Sequence, residues 1–115
     1  MKILNYGKQH LDHNDYLSIK KVLKSDIITR GKQTTTFEKK ISKFVDSKYT
    51  IVCNSGSSAI LMSLLALNVK KGDNIVMPSI NFLASYNAAK FLEANIYLSD
   101  VDELTGQMTP LHVEE

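Results

Sequence analysis

Small polar residues crowd into Asn54, Ser55, Gly56, Ser57 and Ser58, a composition suited to holding an anion. The apolar run Tyr49, Thr50, Ile51, Val52 before them predicts a buried strand. After them Ile60, Leu61, Leu64, Leu65 and Leu67 fall at helical spacings. A helix beginning near Ser57 offers backbone N–H groups that lack intrahelical partners, at the positive end of its dipole. Gly56 lets a ligand approach the backbone, and the hydroxyls of Ser55, Ser57 and Ser58 can donate to phosphate oxygens. The same residues have a plainer use, because Ser57 or Asn54 can simply cap the helix. There is no Walker lysine and no complete G-x-G-x-x-G, so the two best-known nucleotide loops are excluded by pattern.

A second turn, Ser79 to Asn81, also leads from strand to helix, and Phe82 opens that helix. Ligands of α/β sheets gather at the carboxyl ends of strands. If the two strands are parallel neighbours the turns lie side by side, and Phe82 can present its ring to whatever the first turn holds. By residue type alone a core position for Phe82 is the better expectation. Cys53 is the single cysteine, so no internal disulfide exists, and its place at the end of an apolar run points to packing. His10, His13 and His112 are not grouped with other ligand types, and no metal site is expected from them.

The elements that must position these residues follow from period and punctuation. An extended arm occupies about residues 1–11, with Ile3, Leu4 and Tyr6 as its apolar contacts. Asp12 then resembles an N-cap, and a helix runs to about Lys24, burying Tyr16, Ile19, Val22 and Leu23. After a loop containing Gly31, Thr35 and Glu38 form a T-x-x-E capping box for a second helix with the stripe Phe37, Ile41, Phe44 and Val45. Beyond the central turn, Ile75 to Met77 is a strand stopped by Pro78. A helix from about Phe82 to Glu93 turns Ala84, Ala88, Ala89, Phe91 and Leu92 inward, and Asn95 to Leu98 is a third strand. Strands alternating with helices predict an α/β arrangement with helices packed on a sheet.

With 115 residues and 43% hydrophobic content, the chain can bury one modest core. A net charge of +2 gives no reason to expect nucleic-acid or membrane partners. No apolar run reaches membrane-spanning length and no signal peptide opens the chain, so a cytoplasmic protein is expected.

Taken together the landmarks resemble the N-terminal part of the DegT-type nucleotide-sugar aminotransferases. These enzymes depend on pyridoxal 5'-phosphate (PLP) and share the aspartate aminotransferase fold, fold-type I. The matching pieces are NYGKQ (Asn5 to Gln9), VLKSDIITRGKQTTTFEKKISKF (Val22 to Phe44) and VCNSGSSAILMSLLAL (Val52 to Leu67), then GDNIVMPSINFLASYNAA (Gly72 to Ala89) and ANIYLSDVDELTGQM (Ala94 to Met108). Within the family the chain looks most similar to enzymes that aminate a 4-keto-6-deoxy UDP-sugar on the pseudaminic acid route, or to perosamine and aminoarabinose relatives.

The resemblance implies a role for each matching residue. Gly56, Ser57 and Ser58 would hold the cofactor phosphate, and Phe82 would stack on its ring, reversing the preference for a core position. Tyr6, Thr29 and Gly31 would lie near the substrate, while Asp100 and Asp102 are read as structural or loop-capping. The resemblance further implies glutamate as amino donor, a nucleotide sugar as acceptor and a homodimer at full length. The family's Schiff-base lysine lies beyond the matching segments. Residues 1–115 are therefore expected to be an incomplete N-terminal segment of the large domain, inactive alone. A non-catalytic PLP-binding regulator of the same fold, or a phosphate-binding α/β fragment, is the alternative.

Overall fold

The computed structural model describes residues 7–114, and the chain divides into two compact units, Met1–Val52 and Cys53–Glu115. Tyr6 and the start of the expected arm lie outside the described residues.

In the first unit, α1 (His13–Leu23) starts where the sequence asks it to. The Asp12 carboxylate accepts from the amides of Asn14 at 2.7 Å and Asp15 at 3.2 Å, and the Asp15 carboxylate accepts from the Asp12 amide at 2.8 Å. This reciprocal pairing satisfies donors that the helix cannot. Helix α2 (Lys32–Phe44) begins four residues earlier than the T-x-x-E pattern predicts, with Gly31 rather than Thr35 as its N-cap. Thr35 therefore lies inside the helix and the expected capping box does not form. The Glu38 carboxylate instead accepts the Val52 amide at 3.1 Å.

The apolar stripes of both helices were expected to be buried. Val22 and Ile41 are half-buried, but Tyr16, Ile19, Leu23, Phe37, Phe44 and Val45 are exposed, Phe44 at 87%. Two short helices present too little facing surface to cover such stripes. The strand expected over Tyr49 to Val52 is absent too: among the described residues the segment pairs with no strand, and Ile51 is 71% exposed. Strand character in a sequence becomes a strand only where a neighbour completes the ladder.

The second unit is a βαβ layer with an added helix. Strand β1 (Asn74–Pro78), α4 (Leu83–Phe91) and β2 (Asn95–Ser99) follow α3 (Gly56–Ala66), and the short α5 (Leu111–Glu114) ends the described chain. The strands pair in parallel with Asn74 opposite Asn95 and Pro78 opposite Ser99. Parallel neighbours need a crossover, and α4 supplies it. Turn chemistry sets the register: Gly72, at φ +86°, donates to the Glu93 carbonyl at 3.1 Å, and the Asn95 side-chain amide donates to the Gly72 carbonyl at 3.0 Å. Helix α4 packs on both strands and on α3. Its Ala88 and Ala89 are buried with Met77, since only small side chains allow a helix to lie this close to its neighbours. Phe91, expected to face inward, is 74% exposed; the alanine face of α4 is the one the layer covers.

Among the described residues two strands form where three were expected. The mixed helix and strand order with a parallel sheet agrees with the expected α/β class.

Candidate functional site

The turn that leads into α3 is built by its own side chains. Ser55 is the N-cap, in extended conformation, and its hydroxyl oxygen accepts the Ser58 amide at 3.2 Å. Neither Ser57 nor Asn54, the two caps suggested by sequence, takes this position. Only Ser55 stands one residue before the first helical residue with its oxygen over the open amides. Its hydroxyl donates to Ser58 Oγ at 3.1 Å, and the Ser58 hydroxyl donates to Asn54 Oδ1 at 2.7 Å. The Cys53 thiol donates to the Ser55 carbonyl at 3.2 Å. Both donors of Ser58 are thus engaged in bracing the turn.

What remains open is specific. Among the described residues the amides of Gly56 and Ser57 have no hydrogen-bond acceptor, as expected of the first turn of a helix. The Ser57 hydroxyl is exposed and also makes no hydrogen bond there. A Cβ added at Gly56 would meet nothing within 4 Å, so the approach to these donors is open. Two free amides, one free hydroxyl and the positive end of an 11-residue helix fit a phosphate group. In the same unit Phe82 precedes α4 as its N-cap and is 75% exposed, which removes a core role for its ring.

Thr29 and Gly31 belong to the other unit, in the loop joining α1 to α2. A cavity of about 430 Å³ there is lined by Gly31, but not by Thr29. Lys21, Arg30 and Lys32 line it as well, against a single carboxylate, Asp26. The loop joining α1 to α2 is what gathers these cations around the cavity. Gly31 has a structural duty independent of any ligand, since a Cβ there would stand 2.7 Å from the Ile27 carbonyl oxygen. Tyr6 lies outside the described residues.

Asp102 organises the loop after β2, as expected of a loop-capping residue. Its carboxylate accepts from the Thr105 hydroxyl and amide, both at 2.8 Å, and from the Leu104 amide at 3.2 Å. The Thr105 hydroxyl, then its amide, hold the carboxyl below the usual aspartate value.

The model of the DegT/DnrJ/EryC1/StrS aminotransferase family matches residues 9–115. Among solved structures, an aminotransferase from Psychrobacter cryohalolentis is 29% identical with a TM-score of 0.84, over 91% of this chain and 27% of that one. E. coli GDP-4-keto-6-deoxy-D-mannose-3-dehydratase with bound hydrated PLP is 28% identical with a TM-score of 0.80, over 88% of this chain and 28% of that one. Spr1654 from Streptococcus pneumoniae, described as a sugar aminotransferase and solved in a PLP form, is 22% identical with a TM-score of 0.90 over 96% of this chain and 28% of its own, a likeness of fold. The chain therefore spans about a quarter of the length of these solved relatives.

Proposed function

We infer, for a chain that belongs to the DegT/DnrJ/EryC1/StrS aminotransferase family, that it is the N-terminal part of the large domain of a PLP-dependent sugar aminotransferase. The complete protein would move an amino group from glutamate to a nucleotide-linked 4-keto-6-deoxy sugar, with a pseudaminic-acid-type UDP sugar as the specific acceptor, and would work as a homodimer. The observation that carries this reading is the turn before α3: the open amides of Gly56 and Ser57, the free Ser57 hydroxyl and the clear approach at Gly56 suit the cofactor phosphate. When bound, PLP would supply the electron sink that lets an amino group move between substrates.

This chain's residues bind and orient. Gly56 and Ser57 offer their amides to the phosphate and Ser57 adds its hydroxyl, while Ser58, tied to Asn54 and Ser55, keeps the turn in that shape. Phe82 presents its exposed ring as a stacking surface that fixes the plane of the cofactor. Thr29, Gly31 and Tyr6 are assigned to the side of the substrate. The proton transfers fall to groups outside these residues.

A second reading, a PLP-dependent sugar dehydratase, is favoured by one observation: the E. coli 3-dehydratase is as similar to this chain as the Psychrobacter aminotransferase, 28% against 29% identical. One experiment tests both. The complete gene product is loaded with PLP and given glutamate and a nucleotide-linked 4-keto-6-deoxy sugar, and products are followed by absorbance and mass spectrometry. An amino sugar supports the transferase, loss of water from the sugar supports the dehydratase, and a protein that takes up no PLP refutes both.

A further inference from the structure

Two of the cations around the loop cavity stand where local physics disfavours them. Lys32 is the first residue of α2, so its charge lies at the positive end of the helix dipole, and no acidic residue in the first turn offsets it. Arg30 holds φ +52°, a left-handed conformation that costs an L residue energy and that glycine adopts freely. Lys21, by contrast, is in a favoured place, the last turn of α1. Departures from local preference gather at functional sites, where an interaction beyond the fold offsets them.

All three cations line the cavity of about 430 Å³ in the loop joining α1 to α2, where Asp26 is the one carboxylate. Among the described residues none of these four groups makes an ion pair. Three positive charges against one negative leave a surplus of two, around a hollow of small-ligand size. Like charges gathered in one place repel, and a doubly charged anion removes that repulsion. The same walls carry Ile27 and Ile28, which are 63% and 59% exposed. A second hollow of about 440 Å³ shares Lys21, Val22 and Gln33 with the first and adds Ile19 and Leu23. Cations beside an apolar trough suit a phosphate ester with a sizeable organic part better than a bare inorganic ion. The loop also holds its own shape. The Ser25 hydroxyl donates to the Val22 carbonyl at 2.6 Å and lies 3.1 Å from the Ile27 carbonyl oxygen, which the missing side chain of Gly31 allows to approach α2.

We propose that this cavity binds a nucleoside diphosphate: Lys21, Arg30 and Lys32 hold the two phosphates, and the apolar trough beside them takes the base. Arg30 offers a planar fork suited to two phosphate oxygens, and the lysines act as point charges. The site lies wholly within residues 18–34 and shares no residue with the turn before α3. It does not depend on the cofactor reading.

The test is calorimetric titration of the complete gene product with UDP, in the presence of PLP, for wild type, Arg30→Gly and Lys32→Gln, with a ligand-free melt of each. Each substitution removes a charge and relieves a local cost. The melts should therefore hold or rise, while UDP binds about tenfold or more weakly to each variant. Uridine and inorganic pyrophosphate should each bind wild type more weakly than UDP, since each fills one part of the site. Wild-type affinity for UDP in either variant, uridine binding as tightly as UDP, or no binding of UDP by wild type would overturn the proposal. A lowered ligand-free melt in either variant would do so too, by showing that the protein's own carboxylates already occupy these cations. If the protein takes up no PLP, the functional reading above falls and the UDP titrations decide this site as before.

Discussion

Replacing Gly56 by alanine separates a capped helix from a phosphate site, because the two uses of the turn predict opposite outcomes. Gly56 is the first residue of α3, has no strained φ, and an added Cβ there meets nothing within 4 Å. The folded chain therefore tolerates the methyl, and loss of glycine's excess freedom in the unfolded state should stabilise it by about 0.4–1 kcal/mol. For a ligand the consequence is reversed. Helical Cα–Cβ bonds tilt toward the N-terminus, so the methyl lies where a phosphate must come to reach the amides of Gly56 and Ser57. Losing one charge-assisted hydrogen bond costs about 1.5–3 kcal/mol, which is about tenfold to a hundredfold in affinity. The assay is a spectrophotometric titration of Gly56→Ala and wild-type apoprotein with PLP, with a thermal melt of each. A melt unchanged or raised, together with weakened binding, is the expected pair. A raised melt with undiminished affinity would refute the phosphate assignment and leave the turn as a helix cap.

Gly31→Ala should behave differently, because its Cβ would press on the Ile27 carbonyl oxygen at 2.7 Å; a loss of about 1–3 kcal/mol is expected in chemical denaturation, and a melt as good as wild type would show that this loop shifts freely. Thr35→Ala should leave stability within about 0.5 kcal/mol of wild type, since Gly31 caps α2; a loss near 1 kcal/mol would restore the T-x-x-E box. The carboxyl of Asp102 should titrate below the ordinary aspartate value of about 3.9. A lowered folded pKa means that its loop is stabilised above the unfolded value, and that the stabilisation is lost as pH falls through the folded one. NMR of the Thr105 amide follows this, and Thr105→Val should bring the midpoint back up; a wild-type midpoint at the ordinary value would contradict the hydrogen-bonded geometry.

The parts of this protein that are legible in sequence are those decided within a few residues. Asp12 and Asp15 cap α1 across three positions, Pro78 closes β1, and the change of period after Asn54 marks where α3 begins. Each depends on backbone donors and acceptors that one neighbouring side chain can satisfy or deny. The small polar turn is legible for the same reason, and so is the loop-capping role of Asp102. Resemblance adds what such patterns cannot, the cofactor and the family.

Other features needed the tertiary structure. Three serines in a run are equivalent on paper; only the backbone conformation shows that Ser55 caps, Ser58 braces and Ser57 is left open. Thr35 and Glu38 have the spacing of a capping box, but α2 begins at Lys32 because the loop folds over Gly31, and Glu38 finds Val52 instead. Tyr49 to Val52 have the composition of a strand, and Phe44 and Phe91 that of core residues. Pairing and burial are relations between distant parts of a chain. A β-branched run acquires a ladder, or an aromatic ring a cover, only where another element is present to supply it.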